Sequence, residues 1–256
     1  MRHKRFEMLA GAFFVGLVSL TFTLPALAGP PLITDDVNIA GKGRIQLDST
    51  LHYDQNGLIQ NNKLSLDPVD WLELTVGFDW GWVDASGGSD KQPGIAAPSV
   101  QIKARALKPE NNGLPGLSFA LSTSMPFGTK AFADKVWNEA FNLALTENLL
   151  EGDRLLISVN GGVFLSQPPD GLKAVFTWGV SLEVKVVAGL SFVGELVSGD
   201  PDPYRGTNGG AWQTGIRYTF NDSINISATV GDGIWGNPVM PLWGLLGFTY
   251  VSKQLF

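Results

Sequence analysis

Trp71-Leu72-Glu73-Leu74-Thr75-Val76-Gly77-Phe78-Asp79-Trp80-Gly81-Trp82-Val83 is the stretch that decides the fold. Leu72, Leu74, Val76, Phe78, Trp80 and Trp82 alternate with Glu73, Thr75, Gly77, Asp79 and Gly81. A helix, with its period of about 3.6, would scatter these two sets around its axis. A pleated strand sends them to opposite faces, one apolar and one polar.

The same phase recurs along the chain. In residues 99–107, Val100, Ile102, Ala104 and Ala106 oppose Gln101, Lys103 and Arg105. In 172–185, Ala174, Phe176, Trp178, Val180, Leu182 and Val184 oppose Lys173, Thr177, Ser181, Glu183 and Lys185. Trp212, Ile216, Tyr218 and Phe220 oppose Gln213, Gly215, Arg217 and Thr219, and Phe141, Leu143 and Leu145 alternate with Asn142, Ala144 and Thr146. Residues 44–53 set Ile45, Leu47, Leu51 and Tyr53 against Arg44, Gln46, Asp48, Thr50 and His52. Weaker segments at 58–67, 117–127, 155–166, 190–198, 224–230 and 242–256 bring the count to twelve, with ten as the alternative.

The connections alternate too. Those after even strands, at 68–70, 187–189 and 221–223, are short, while 108–116 and 147–153 are somewhat longer. Those after odd strands, at 84–97, 128–135, 199–210 and 231–241, are long; 54–57 is the exception. Short periplasmic turns alternating with long outer loops are the pattern of a membrane barrel with both ends on the periplasmic side.

Arg2, Lys4 and Arg5 precede an apolar run from Met8 to Leu24, and Ala26-Leu27-Ala28 supplies small residues where a signal peptidase reads. The run is short for a spanning anchor, so cleavage after Ala28 is expected. Processing would leave 228 of the 256 residues, with 15 basic and 23 acidic side chains. That acidity argues against a nucleic-acid partner, which requires a basic face. The chain has no cysteine, which excludes disulfides, a lipid-modified N-terminus and thiolate metal sites. No later apolar stretch is long enough for a spanning helix. An exported, membrane-embedded chain must then satisfy its backbone as a closed barrel. The expected fold is all-β: a transmembrane antiparallel up-and-down β-barrel of about twelve strands. Residues 1–28 are the signal peptide, 29–43 an N-terminal periplasmic segment and 44–256 the barrel.

Gly29-Pro30-Pro31-Leu32-Ile33-Thr34-Asp35-Asp36, leading to Gly41-Lys42-Gly43, resembles the opening segment of a bacterial outer-membrane family named for a meta-pathway of phenol degradation. The turn before Leu72–Gly77 and the strand Leu190–Glu195 are also similar to that family. The resemblance implies a transporter-like barrel for small, apolar or aromatic molecules. It carries no catalytic residues and no cofactor.

The charges in lumen phase are Arg44, Asp48, Glu73, Asp79, Lys103, Arg105, Lys173, Glu183, Lys185, Glu195 and Arg217, six basic and five acidic. They suit either a polar channel of weak selectivity or a salt-bridged filling, with Glu73 expected beside Arg105. His52 joins them in lumen phase beside Thr50 and Asp48, turned away from the bilayer a lipid hydrolase would need to reach. No enzyme is expected. Gly231-Asp232-Gly233-Ile234-Trp235-Gly236 matches a dinucleotide-binding glycine pattern, but Asn237-Pro238 and Pro241 leave no helix to hold a pyrophosphate, and it reads as an outer loop. Asp200, Asp202 and Tyr204 lack the spacing of a calcium loop. Asp35 and Asp36 could cap a tail folded into the barrel mouth or lie in a free segment.

Trp71, Trp80, Trp82, Trp178, Trp212, Tyr218, Tyr250 and Phe256 fall in outward phase, as aromatic girdles do. The expected partners are outer-membrane lipid and lipopolysaccharide, an unknown small solute, and the assembly machinery through terminal Phe256. Three functions compete: a narrow channel or transporter, a plugged barrel with surface or adhesive work, and a soluble secreted β-sandwich.

Overall fold

The computed structural model describes residues 32–84, 91–96, 98–109, 114–129, 132, 136–150, 154–168, 171–199, 209–236 and 239–256. The leader expected at 1–28 lies outside them, as do Asp200, Asp202 and Tyr204.

The alternating segments form β1 (Ile45–Asp54), β2 (Gly57–Val69), β3 (Leu72–Asp84), β4 (Lys91–Ile95), β5 (Ser99–Leu107), β6 (Gly116–Ser124) and β7 (Asn138–Leu149). They continue as β8 (Leu155–Ser166), β9 (Lys173–Val187), β10 (Leu190–Gly199), β11 (Gly209–Asn221), β12 (Ile224–Trp235) and β13 (Trp243–Val251). The strands pair antiparallel with their neighbours, β4 with β3 alone, and β13 returns to β1. The result is a closed barrel of twelve spanning strands with no free edge, the form that satisfies every backbone group in lipid. β4 lies along the outer end of β3, from Trp80 opposite Ile95 to Asp84 opposite Lys91. It covers the part of β3 that rises above β5, whose pairing begins only at Gly77 opposite Ser99. The expected 84–97 loop therefore contains a strand.

Which face meets which solvent is settled by exposure. Trp80, Phe176 and Tyr218 are 38%, 67% and 40% exposed on the outside of the wall, whereas Ser158, Ser181, Thr249 and Gln213 are buried inside it. Apolar side chains out and small polar side chains in is the reverse of a soluble sandwich and the signature of a barrel in lipid. That observation removes the sandwich reading.

Local chemistry explains the interruptions. Pro68 sits where the register jumps from Leu66–Leu74 to Val69–Leu72, a bulge that spares the ladder its missing N–H. The tight outer turn between β1 and β2 is held by Asp54, whose Oδ1 accepts from the amides of Asn56 and Gly57 at 2.6 and 3.0 Å. Two sequence expectations are corrected here. Residues 231–235 are not an outer loop but the end of β12, paired with β11 as far as Gly210 opposite Trp235; their glycines masked a strand. The last strand stops at Val251, and beyond it the amides of Ser252 and Leu255 donate to Ile45 and Gly43 at 2.8 and 2.7 Å.

Candidate functional site

The segment before β1 lies in the lumen. It enters at the rim that carries the chain ends and the short turns, where Gly41 and Gly43 take φ of +101° and +70°, left-handed values that favour glycine. From there it climbs to the middle of the wall. It has no ladder of its own, so its amides must find other acceptors. The wall provides them. Ile33 and Thr34 amides donate to the two oxygens of Glu195 at 2.8 and 2.7 Å. Val37 donates to Thr146 Oγ1 at 3.1 Å, Gly41 to Asp67 Oδ2, and Lys42 to Asp70 Oδ1 at 3.2 Å. Asp35 meets Lys103 Nζ at 2.8 Å, and the same ammonium donates to the Asn38 carbonyl at 3.3 Å. Burial pushes the Asp36 carboxyl above its usual range, with the nearby Lys103 charge opposing.

Two wall glycines make room for this tail. A Cβ at Gly116 would stand 2.6 Å from Val37 Cγ2, and one at Gly179 would strike Thr34 Oγ1. Either approach is closer than packed atoms tolerate.

Around the tail the interior is cross-linked. Arg217 on β11 reaches across the small Ser191 of β10 to Glu183 on β9, with Nη1 donating to Oε2 at 2.5 Å. Asp48 accepts from Thr249 Oγ1 and Gln46 Nε2, both at 2.7 Å. Gln213 is 2% exposed and links two regions. Its amide donates to Glu195, and its carbonyl accepts from Trp243 Nε1 at 3.4 Å and Thr229 Oγ1 at 3.2 Å. A continuous run of hydrogen bonds therefore connects the tail, through Glu195 and Gln213, to Trp243 on the outer half of the wall.

Above the tail the lumen is hollow. A cavity of about 580 Å³ has residues 32–36 as its floor. Polar side chains including Thr50, Asn61, Gln101, Asn142 and Asn160 line much of its wall. On one side Val197, Ala211, Met240, Trp243 and Leu245 form a buried apolar cluster. Met240 is held inward by its carbonyl, which accepts from the Gly233 amide at 3.2 Å.

Residues 16–250 match the model of a family described as uncharacterised conserved protein UCP029691. The chain belongs to that family. No curated protein matches it. Among solved structures it is similar to the COG4313 outer membrane channel from Pseudomonas putida F1, at 11% identity and a TM-score of 0.68, covering 85% of this chain and 98% of that one. It is also similar to the KdgM porin at 12% identity and a TM-score of 0.58, covering 80% and 98%. The NanC porin follows at 10% identity and a TM-score of 0.54, covering 82% and 100%. At these identities the likeness is one of fold.

The lumen-phase residues distribute over three levels. Asp79 and His52 face the cavity, and Asp48, Glu73 and Lys103 border it lower down beside the tail. Glu195 holds the tail, and Glu183 and Arg217 form their own buried pair. Arg44 and Arg105 stand at the rim of the short turns, where Arg105 Nη2 donates to the Asp70 carbonyl at 2.6 Å. The pairing of Glu73 with Arg105 is corrected. The β3–β5 register sets Glu73 opposite Lys103, and Arg105 falls past it, its amide bonded to Trp71. The near-balance of lumen charge is corrected too, because Asp35 and Asp36 of the tail join the strand residues around the cavity. His52 lies 3.8 Å from Asp54 and 6.2 Å, ring to ring, from Trp243. Strand alternation put Thr146 on the polar face but could not show that it and Asp67 hold a tail, nor find Met240, which lies in a loop without period.

Proposed function

We propose that this chain forms a narrow channel for small solutes in the bacterial outer membrane, constricted by its own N-terminal tail. The observation that carries the reading is a polar, hollow outer lumen resting on a tail bonded to the wall at several points. A barrel of twelve strands stands between the filled eight-stranded kind and the open sixteen-stranded porins. Adding a tail to that intermediate bore leaves a passage for small molecules only. The leader at 1–28 takes the chain through the periplasm, Phe256 is offered to the assembly machinery, and the outward aromatics settle among lipid and lipopolysaccharide. The apolar cluster around Trp243, together with the resemblance to the phenol-degradation family, extends the solute range to apolar or aromatic molecules. The lumen acts by passage rather than catalysis.

The test is refolded full-length protein in planar bilayers and in liposomes. Discrete conductance and swelling with small solutes are the expected results. The tail also favours a second reading, in which it closes the barrel and the outer surface does the work. Folded protein that gives neither conductance nor swelling would select that reading.

A further inference from the structure

We infer that the lumen passes cations in preference to anions, and that small ammonium-bearing solutes are the class it admits. The inference rests on the channel reading. Among the described residues, five carboxylates border the cavity: Asp35, Asp36, Asp48, Glu73 and Asp79. Against them stand the two ammonium groups of Lys63 and Lys103 and the imidazole of His52. Lys103 is already held by Asp35 at 2.8 Å, which leaves Lys63 as the principal cation facing the water of the cavity among the described residues.

The strand groups on the cavity, Asp48, Glu73 and Asp79 against Lys63 and Lys103, already lean acidic; the tail adds to that. Asp35 and Asp36 enter from the floor of the cavity. A low-dielectric wall around a narrow aqueous space concentrates the field of its charges, so a small imbalance sets the preferred ion. The neutral amides and hydroxyls on the rest of the wall, such as Asn142, Asn160 and Thr177, add hydrogen-bonding positions without charge. An alkylammonium fits both features. It is cationic, compact enough for a cavity of about 580 Å³, and able to donate to carboxylate and amide oxygens in turn. A carboxylate solute of the same size meets the carboxylates of Asp48, Glu73 and Asp79 and, among the described residues, Lys63 as the lysine not already held by a carboxylate of the tail.

The experiment measures reversal potentials of the full chain in planar bilayers, first across a KCl gradient, then with butylammonium chloride against potassium butyrate. The expected result is a potential of cation sign, corresponding to a permeability ratio of roughly threefold or more, with butylammonium carrying current that butyrate does not. Asp79→Asn, away from the tail contacts, should lower the ratio, and Lys63→Gln should raise it; heat-modifiable gel mobility checks that each variant is folded. A potential of zero or anion sign, or variants that shift the ratio in the opposite directions, would overturn the inference while leaving the channel standing. Folded protein without any current would overturn the channel and the inference together.

Discussion

The two halves of the lumen are built from the same strands and behave as different materials. The periplasmic half is filled: the tail supplies backbone, Glu195, Thr146, Asp67 and Lys103 supply its partners, and Gly116 and Gly179 supply its space. The outer half is hollow, with hydroxyls and amides facing a cavity. The difference teaches that strand count sets the bore of a barrel, and that non-strand segments decide how much of it remains open.

The strongest way to break the comparison is to remove the clamp on the filled half. Glu195→Ala deletes both acceptors of the Ile33 and Thr34 amides and leaves the first donor part-buried and the second buried. Tail docking should weaken by about 2–4 kcal/mol, seen as larger or more frequent openings in single-channel records. Unchanged records would mean that Glu195 does not hold the tail. Next in size is Gly179→Val, whose side chain takes the space of Thr34. Overpacking of about 1–3 kcal/mol should dislodge the tail tip and raise protease sensitivity near Thr34 while the barrel itself stays folded.

A smaller effect sharpens the electrostatics. Burial raises the Asp36 pKa, so its contribution favours the docked state at low pH and fades as pH rises through that raised value. Asp36→Asn removes a buried carboxylate yet keeps an acceptor for the Asn38 amide. Docking should tighten by about 1 kcal/mol at neutral pH, and the dependence of open probability on pH should shrink; a variant with the original pH profile would contradict this. The smallest effect belongs to the hollow half. Asn142→Ala faces the cavity and should change thermal stability by less than about 0.5 kcal/mol. A clear loss of stability there would show that the outer half is packed rather than open.

The wall was legible because lipid imposes a period of two on every strand, and Trp71–Val83 carries that period without a break. Bounds failed where composition masked the pleat, as in the glycine-rich end of β12, and where β4 folds back inside a loop. Register was harder. Glu73 and Arg105 share the lumen face, but only the hydrogen-bond ladder reveals that Glu73 stands opposite Lys103 instead. The tail was illegible for a deeper reason. Asp35 and Asp36 are acidic residues in an aperiodic segment, and nothing local distinguishes a lumen plug from a free periplasmic stretch. Its partners are up to 162 residues away, as with Ile33 and Glu195.

The central claim is that the tail, rather than the barrel wall, sets the bore. Single-channel conductance of the full chain should be compared with that of a chain lacking residues 32–40, both confirmed as folded by heat-modifiable mobility. A substantially larger conductance after deletion is the expected result. Equal conductance in the two proteins would contradict the account.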